Sequence, residues 1–267
     1  MRTPRTGTVL RLHVDYKPFF ADVPYDDTND ERKLGTGFLV RLPVGTSERG
    51  LGGFGGGVVV LTAHHVVSNA VAVLASTPEY REGEGVELRL LGVNPHLDVA
   101  VLACPSDMAA TLPCFEVGTT ADLGLGTDVD VVGFGLGSLR VHHTRGGISG
   151  RHGWPHNRFQ TDAVIHGGNS GGPVLRRMSN VVVGIVTSGM DGAQSTNFFV
   201  GIEEAMLSVA RILGCAEGLC PTRPRSPIDT GWSLGALFGP VDSRACGGDP
   251  GGARVIACVP ESGLRVG

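Results

Sequence analysis

A chain of 267 residues is long enough to bury one large core, or two barrels of roughly a hundred residues each. Its formal charge of −4, with no Lys/Arg cluster interleaved with aromatics, excludes a phosphate-tracking surface, so no nucleic-acid partner is expected. No apolar run approaches the roughly 20 residues of a membrane helix, and residues 1–30 hold no signal core of roughly 7–15 apolar residues; the sequence reads as soluble, without a signal peptide or membrane span, and names no compartment.

Glycine (42) and proline (16) are frequent and Val-rich runs separate them, which predicts short strands joined by tight turns: an all-β chain. Residues 1–33 are a polar lead-in apart from the alternating run Val9 to Val14, which fits one strand. From Gly37 onward strands are predicted at Phe38–Leu42, Val58–Thr62, Val71–Ala75, Val86–Leu91, Val99–Ala103 and Val129–Val132. The insert Gly50 to Gly57 has six glycines in eight positions and reads as a mobile hairpin loop, with no Lys-Ser/Thr or helix behind it to make a phosphate loop.

A second series follows at Arg140–His143, Phe159–Val164, Pro173–Arg176, Val181–Thr187 and Phe198–Gly201. Ile202 to Leu213 changes period: Ile202, Ala205, Met206, Val209, Ile212 and Leu213 fall at helical spacing, Glu203 and Glu204 lie in the first turn, and Gly214 is placed to cap. This predicts a helix closing a domain over 34–214. Residues 215–231, rich in proline, read as a linker, and 232–267 hold strand-like Trp232–Leu237 and Ala253–Val259. The six cysteines are absent from the first hundred residues and show no CxxC pairing, so reduced thiols are the expectation.

Serine hydrolysis of a peptide bond needs a hydroxyl beside a base, a carboxylate orienting that base, and donors for the oxyanion. In Gly168-Asn169-Ser170-Gly171-Gly172-Pro173 small residues let the backbone fold tightly around Ser170, with the amides of Gly168 and Ser170 as candidate oxyanion donors. Thr62-Ala63-His64-His65 follows a strand and offers two adjacent histidines as base. Asp98 stands immediately before the apolar strand Val99–Ala103 and is the candidate orienting carboxylate, while Asp122, Asp128, Asp130 and Asp162 lack that context. No cofactor is called for. Neither the His-His pair nor His142, His143, His152, His156 and His166 show a metal-ligand pattern.

These segments resemble the trypsin-like serine proteases, in their HtrA/Deg branch. Thr62 to His65 is similar to the family's Thr-Ala-Ala-His, which selects His65 over His64 as the base. Leu97-Asp98-Val99-Ala100 resembles its Asp-Ile-Ala-Leu-Leu segment, Gly35 to Val40 its opening strand, and Phe159 to Ile165 its approach to the nucleophile. The order His65, Asp98, Ser170, with gaps of 33 and 72 residues, is that of the chymotrypsin arrangement. Asn169 and Val66 replace the acid and cysteine of digestive proteases, which points to the HtrA/Deg branch and implies neither zymogen cleavage nor a histidine-loop disulfide.

The resemblance implies two antiparallel six-stranded β-barrels of the chymotrypsin/trypsin-like fold with a closing C-terminal helix. It implies ATP-independent endopeptidase activity on polypeptide substrates with no cofactor, a role in protein quality control, and a homotrimer. The substrate pocket would lie between Val164 and Ile165 on one wall and Thr187, Ser188 and Gly189 on the other; no acid stands at its base, so small or medium aliphatic side chains are expected. The alternative is a catalytically latent binding or chaperone-like module that keeps the barrels. Residues 253–267 look like the middle of a PDZ domain, and 232–267 are too few for a complete one.

Overall fold

The structure is a computed structural model that describes residues 9–16, 31–42, 57–77, 85–152, 158–179, 181–189, 196–213, 236–239 and 254–258. The glycine insert before Gly57 and the 215–231 linker lie outside the described residues.

Strands β1 (Val9–Tyr16), β2 (Glu31–Arg41), β3 (Val58–Thr62), β4 (Ala70–Ser76), β5 (Val86–Glu87), β6 (Leu90–Asn94) and β7 (Val99–Ala103) form the first sheet, in the order β5-β4-β1-β2-β3-β7-β6. The lead-in strand is therefore a central member of this sheet, paired with β2 on one side and β4 on the other. The predicted strand Val86–Leu91 is broken. Its first half pairs with β4, its second with β7, and between them Leu88 donates to Val73 and Arg89 accepts from Ala103. The first sheet is thus a half-barrel whose two edge strands share this segment, and Leu88 turns its side chain into the core (3% exposed) at the point where the segment changes partner.

Strands β8 (Glu116–Val117), β9 (Asp128–Gly133), β10 (His142–His152), β11 (Arg158–Thr161), β12 (Pro173–Arg176), β13 (Val181–Gly189) and β14 (Asn197–Gly201) form the second sheet. Six of them close on themselves through the β12–β13 pairing, and β8 adds in parallel to β13. The predicted run Phe159–Val164 leaves the sheet after Thr161, which frees Val164 for the surface.

Among the described residues three α-helices interrupt the strands: α1 (His64–Val67), α2 (Ser106–Thr111) and α3 (Ile202–Ile212). The predicted closing helix is α3, and Ile202, Ala205, Met206 and Val209 are its buried stripe. Glu203 in its first turn accepts hydrogen bonds from the Thr119 and Thr120 hydroxyls and the Thr120 amide, which satisfies a carboxylate beside the positive end of the helix.

Each sheet buries its own core, and a third cluster joins them. Phe38, Val59, Leu61 and Val101 of the first sheet meet Val132, Phe134, Leu175, Ile185 and Val200 of the second, sealed by Ile202, Met206 and Val209 of α3. This shared cluster fixes the facing edges of the two barrels. The tail forms a separate unit, in which β15 (Ala236–Gly239) pairs antiparallel with β16 (Arg254–Cys258).

Cys104 and Cys114 are free thiols. Burial in the first core pushes the Cys104 thiol up to about 12. At pH 8 its alkylation should be more than about 100-fold slower in the native chain than in urea, since only the thiolate reacts. The folded pKa lies above the ordinary thiol value of 9.0, so the contribution to stability is complete below pH 9.0 and is lost as pH rises towards 12. Denaturant midpoints at pH 8 and 10.5 check it; a Cys104→Ala variant should show a shallower fall between them.

Candidate active site

The turn between β6 and β7 shapes the first half of the site. Asn94 Oδ1 accepts the amides of His96 and Leu97, and the Asp98 amide donates to Pro95 O, so the chain reverses within four residues. Asp98 is thereby held at φ 59°, a left-handed conformation that few residue types other than glycine tolerate and that aspartate adopts more readily than most.

That conformation turns Asp98 towards α1 and binds it three times. Its carbonyl accepts the His64 amide at 3.1 Å, Oδ1 accepts the His65 amide at 2.8 Å, and Oδ2 lies 2.7 Å from His65 Nδ1. An ionised carboxylate only accepts, so Nδ1 carries the hydrogen and Nε2 is left with its lone pair as a base. The Asp98 side chain is 13% exposed and that of His65 48%, the arrangement of a shielded orienting group behind an accessible one. His64 contributes its amide to the Asp98 contact.

The second half is the loop around Ser170. Gly168 takes φ 99° and Gly171 φ 81°, and both turns depend on the missing Cβ: one at Gly168 would stand 2.4 Å from Phe134 O, one at Gly171 2.7 Å from the Ala63 amide nitrogen. The amides of Asn169, Gly171 and Gly172 are bonded to His166, Val186 and Asn169 carbonyls. Those of Gly168 and Ser170, the candidate oxyanion donors, have no backbone acceptor among the described residues. The Asn169 side chain is buried (2% exposed) against Gly133 and Gly135.

Thr36 joins the halves, a role the sequence reading did not assign. Buried completely on β2, it donates its amide to Ser170 O (2.9 Å) and its hydroxyl to Gly168 O (2.6 Å), and it accepts from the Phe134 amide (3.0 Å). Its own carbonyl accepts the Thr62 hydroxyl at 2.8 Å, and Thr62 sits two residues before α1. Ser170 is thus pinned through its backbone to the strand pair that carries His65. Among the described residues no hydrogen bond joins the Ser170 hydroxyl to the imidazole. The signal available in sequence was a threonine between two glycines: Gly35 lets β2 approach α1, where a Cβ would meet Val66 at 2.4 Å.

Thr36→Val keeps the shape and removes the hydroxyl, leaving the Gly168 carbonyl and Phe134 amide buried and unpaired. We expect a loss of about 2–4 kcal/mol by urea denaturation, together with reduced hydrolytic activity, because the loop that presents Ser170 loses its anchor.

The competing acids are engaged elsewhere. Asp122 is paired with Arg176, whose guanidinium holds that carboxyl below its usual range; Asp128 pairs with Arg177 and Asp130 with His143 (3.3 Å), and Asp162 accepts the Gly147 amide at 2.6 Å.

The expected pocket residues divide. Val164 is half exposed and Ile165 packs partly onto the second core. Ser188 and Gly189 form the end of β13, in register with Phe198 and Asn197. Thr187 does not present a wall: it is fully buried and its hydroxyl donates to Phe198 O at 3.3 Å, because the bulge between Val186 and Ser188 turns it inward. Asn197 was missed; its side-chain amide donates to Ala163 O at 2.9 Å, tying β14 to the segment that leads to Val164.

The family description Trypsin-like peptidase domain matches residues 35–185. The chain is 32% identical over 178 residues to a protein of Synechocystis sp. named serine protease HhoA, covering 61% of this chain and 44% of that one. It is 30% identical over 222 residues to a DegP-like periplasmic serine endoprotease of Halomonas elongata, covering 80% of this chain and 40% of the relative. The chain therefore spans less than half the length of these curated relatives. Among solved structures, the crystal structure of the serine endoprotease from Yersinia pestis aligns with a TM-score of 0.58 at 20% identity, over 99% of this chain and 77% of that one, a likeness of fold.

Proposed function

We propose that this chain, which belongs to the trypsin-like peptidase family as an HtrA/DegP-like serine protease, hydrolyses peptide bonds within proteins using Ser170 as nucleophile, His65 as general base and Asp98 as the group that orients it. The observation that carries this reading is the pair of hydrogen bonds from His65 to one Asp98 carboxylate, at 2.8 and 2.7 Å, on the strand framework that also holds Ser170 through Thr36.

In the proposed reaction His65 Nε2 takes the hydroxyl proton as Ser170 Oγ attacks the scissile carbonyl carbon. The carbonyl oxygen gains negative charge and the Gly168 and Ser170 amides, which have no backbone acceptor among the described residues, donate to it. As the intermediate collapses the C–N bond breaks and the imidazolium returns its proton to the leaving amine. Water then repeats the sequence on the acyl-enzyme and releases Ser170. Asp98 stays ionised throughout and stabilises the imidazolium across the 2.7 Å contact.

Val164 and Ile165 support a preference for small or medium aliphatic side chains on the acyl side, since they offer apolar surface and no carboxylate. Independence from ATP, a role in protein quality control and trimeric assembly are extensions of the family resemblance. The site chemistry requires none of them.

A fluorophosphonate probe with mass-spectrometric mapping tests the reading. Adduct formation on Ser170, abolished by denaturation, supports an assembled site. A folded chain that reacts at no serine would favour the latent binding module instead.

A further inference from the structure

Resting on the endopeptidase reading, we propose that Ser208 of α3 is a positioning residue for catalysis: it anchors Asn94, and Asn94 sets the turn from which Asp98 orients His65. Ser208 is the polar member of the buried face of α3, 3% exposed beside Ala205 and Val209. A hydroxyl in that place costs stability unless it is hydrogen-bonded. It donates to the Glu204 carbonyl of its own helix at 3.2 Å, a bond that a serine in any helix can make, and it accepts the Asn94 side-chain amide at 2.9 Å. The second bond reaches across 114 positions of the chain.

Asn94 uses its carboxamide in both directions. Nδ2 is committed to Ser208, while Oδ1 accepts the His96 and Leu97 amides at 3.1 and 3.2 Å and so bends the chain that ends at Asp98. A planar carboxamide whose NH2 is held from one side presents its oxygen in a fixed direction, so α3 sets the aim of the turn. Asp98, at φ 59°, then gives its carbonyl to the His64 amide and its carboxylate to the His65 amide and Nδ1.

The helix is itself firmly seated. Its first turn is held where Glu203 accepts from Thr119 and Thr120, and its last turn lies on β6, where a Cβ at Gly92 would stand 2.7 Å from Ile212 Cγ2. Leu97, inside the turn, packs on the shared cluster to which Ile202, Met206 and Val209 belong. Pro95 and His96 at the tip are exposed, so the turn takes its support from the side of α3. Gly92, Asn94 and Leu97 are the three points at which α3 and its cluster hold the segment that leads to the orienting carboxylate.

The test compares Ser208→Ala with Val209→Ala, a neighbour on the same helix whose side chain belongs to the shared core. Ser208→Ala should lower kcat on fluorescent casein, and the rate of fluorophosphonate labelling of Ser170, roughly tenfold with KM within about twofold, the effect of a catalytic group displaced by well under about 1 Å. Val209→Ala removes buried methyl groups, and should lower the melting temperature at least as far while keeping both rates within about twofold of the parent. In an Asp98→Asn background Ser208→Ala should change the labelling rate by less than about twofold, because orienting a carboxylate has no value once it has been replaced. A loss that persists in that background, an equal loss of rate in Val209→Ala, or full activity in Ser208→Ala overturns the proposal and leaves the endopeptidase reading standing. A parent chain that neither cleaves casein nor labels at Ser170 overturns both.

Discussion

Replacing Ser170 by alanine should lower casein hydrolysis roughly 10^4- to 10^6-fold and leave folding almost untouched. The change removes one half-buried hydroxyl and nothing else: the bond that pins this residue runs from the Thr36 amide to its backbone carbonyl, and alanine keeps it. A melting temperature equal to that of the parent chain, with activity gone, is the expected pair of results. Asp98→Asn should cost roughly 10^3- to 10^4-fold, because an amide at 2.7 Å from His65 Nδ1 can present its NH2 and leave Nε2 with the hydrogen, the wrong tautomer for a base. The losses should not multiply. A Ser170→Ala, Asp98→Asn double variant should be no slower than Ser170→Ala, since orienting a base has no value once its proton source is gone. Full activity in Ser170→Ala would remove this residue from the mechanism.

Gly171→Ala should be among the most damaging single-methyl additions at the described glycines. The added Cβ would stand 2.1 Å from Thr62 Oγ1, 2.4 Å from Thr36 O and 2.7 Å from the Ala63 nitrogen, at φ 81°. Two of those contacts are backbone atoms of the first barrel and cannot rotate away. The left-handed conformation costs about 1–2 kcal/mol for alanine and the overpacking about 1–3 kcal/mol, so a loss of roughly 2–5 kcal/mol is expected, with a melting temperature lower by roughly 10 °C. Gly126→Ala supplies the control: φ is 77° there and nothing lies within 4 Å of its Cβ, so only the conformational cost of about 1–2 kcal/mol remains. The difference between the two variants measures how tightly the Ser170 loop is wedged against the strand that leads to His65. Equal destabilisation would mean that the loop can move away from Thr62 and Ala63.

The distinction between those two glycines shows where sequence reading reaches its limit. Both stand in glycine-rich turns, and nothing local separates Gly171, closed in by Thr36 and Thr62, from Gly126, which faces open space. The same holds for Thr36. Its flanking glycines and the resemblance of Gly35 to Val40 to a family opening strand are local features, yet its hydrogen bonds reach Gly168 and Ser170, 132 and 134 positions away. Thr187 shows the converse: the family resemblance puts it on a pocket wall, and a bulge beside it turns it inward.

The alternation of strands and turns, the amphipathic closing helix and the order of His65, Asp98 and Ser170 are legible along the chain, because period, turn chemistry and motif spacing are properties of neighbouring residues. The family is legible there too, through short segments whose side chains must sit close to backbone turns. The fold in three dimensions makes the lead-in strand central to the first sheet, breaks the run Val86–Leu91 at Leu88, and brings Asp98 to His65 from a left-handed turn. Those outcomes depend on which strand finds which partner and on how closely two backbones approach. Both are set by the packing of Phe38, Leu61, Val132 and Ile185 between the two sheets, contacts made across long separations in the chain.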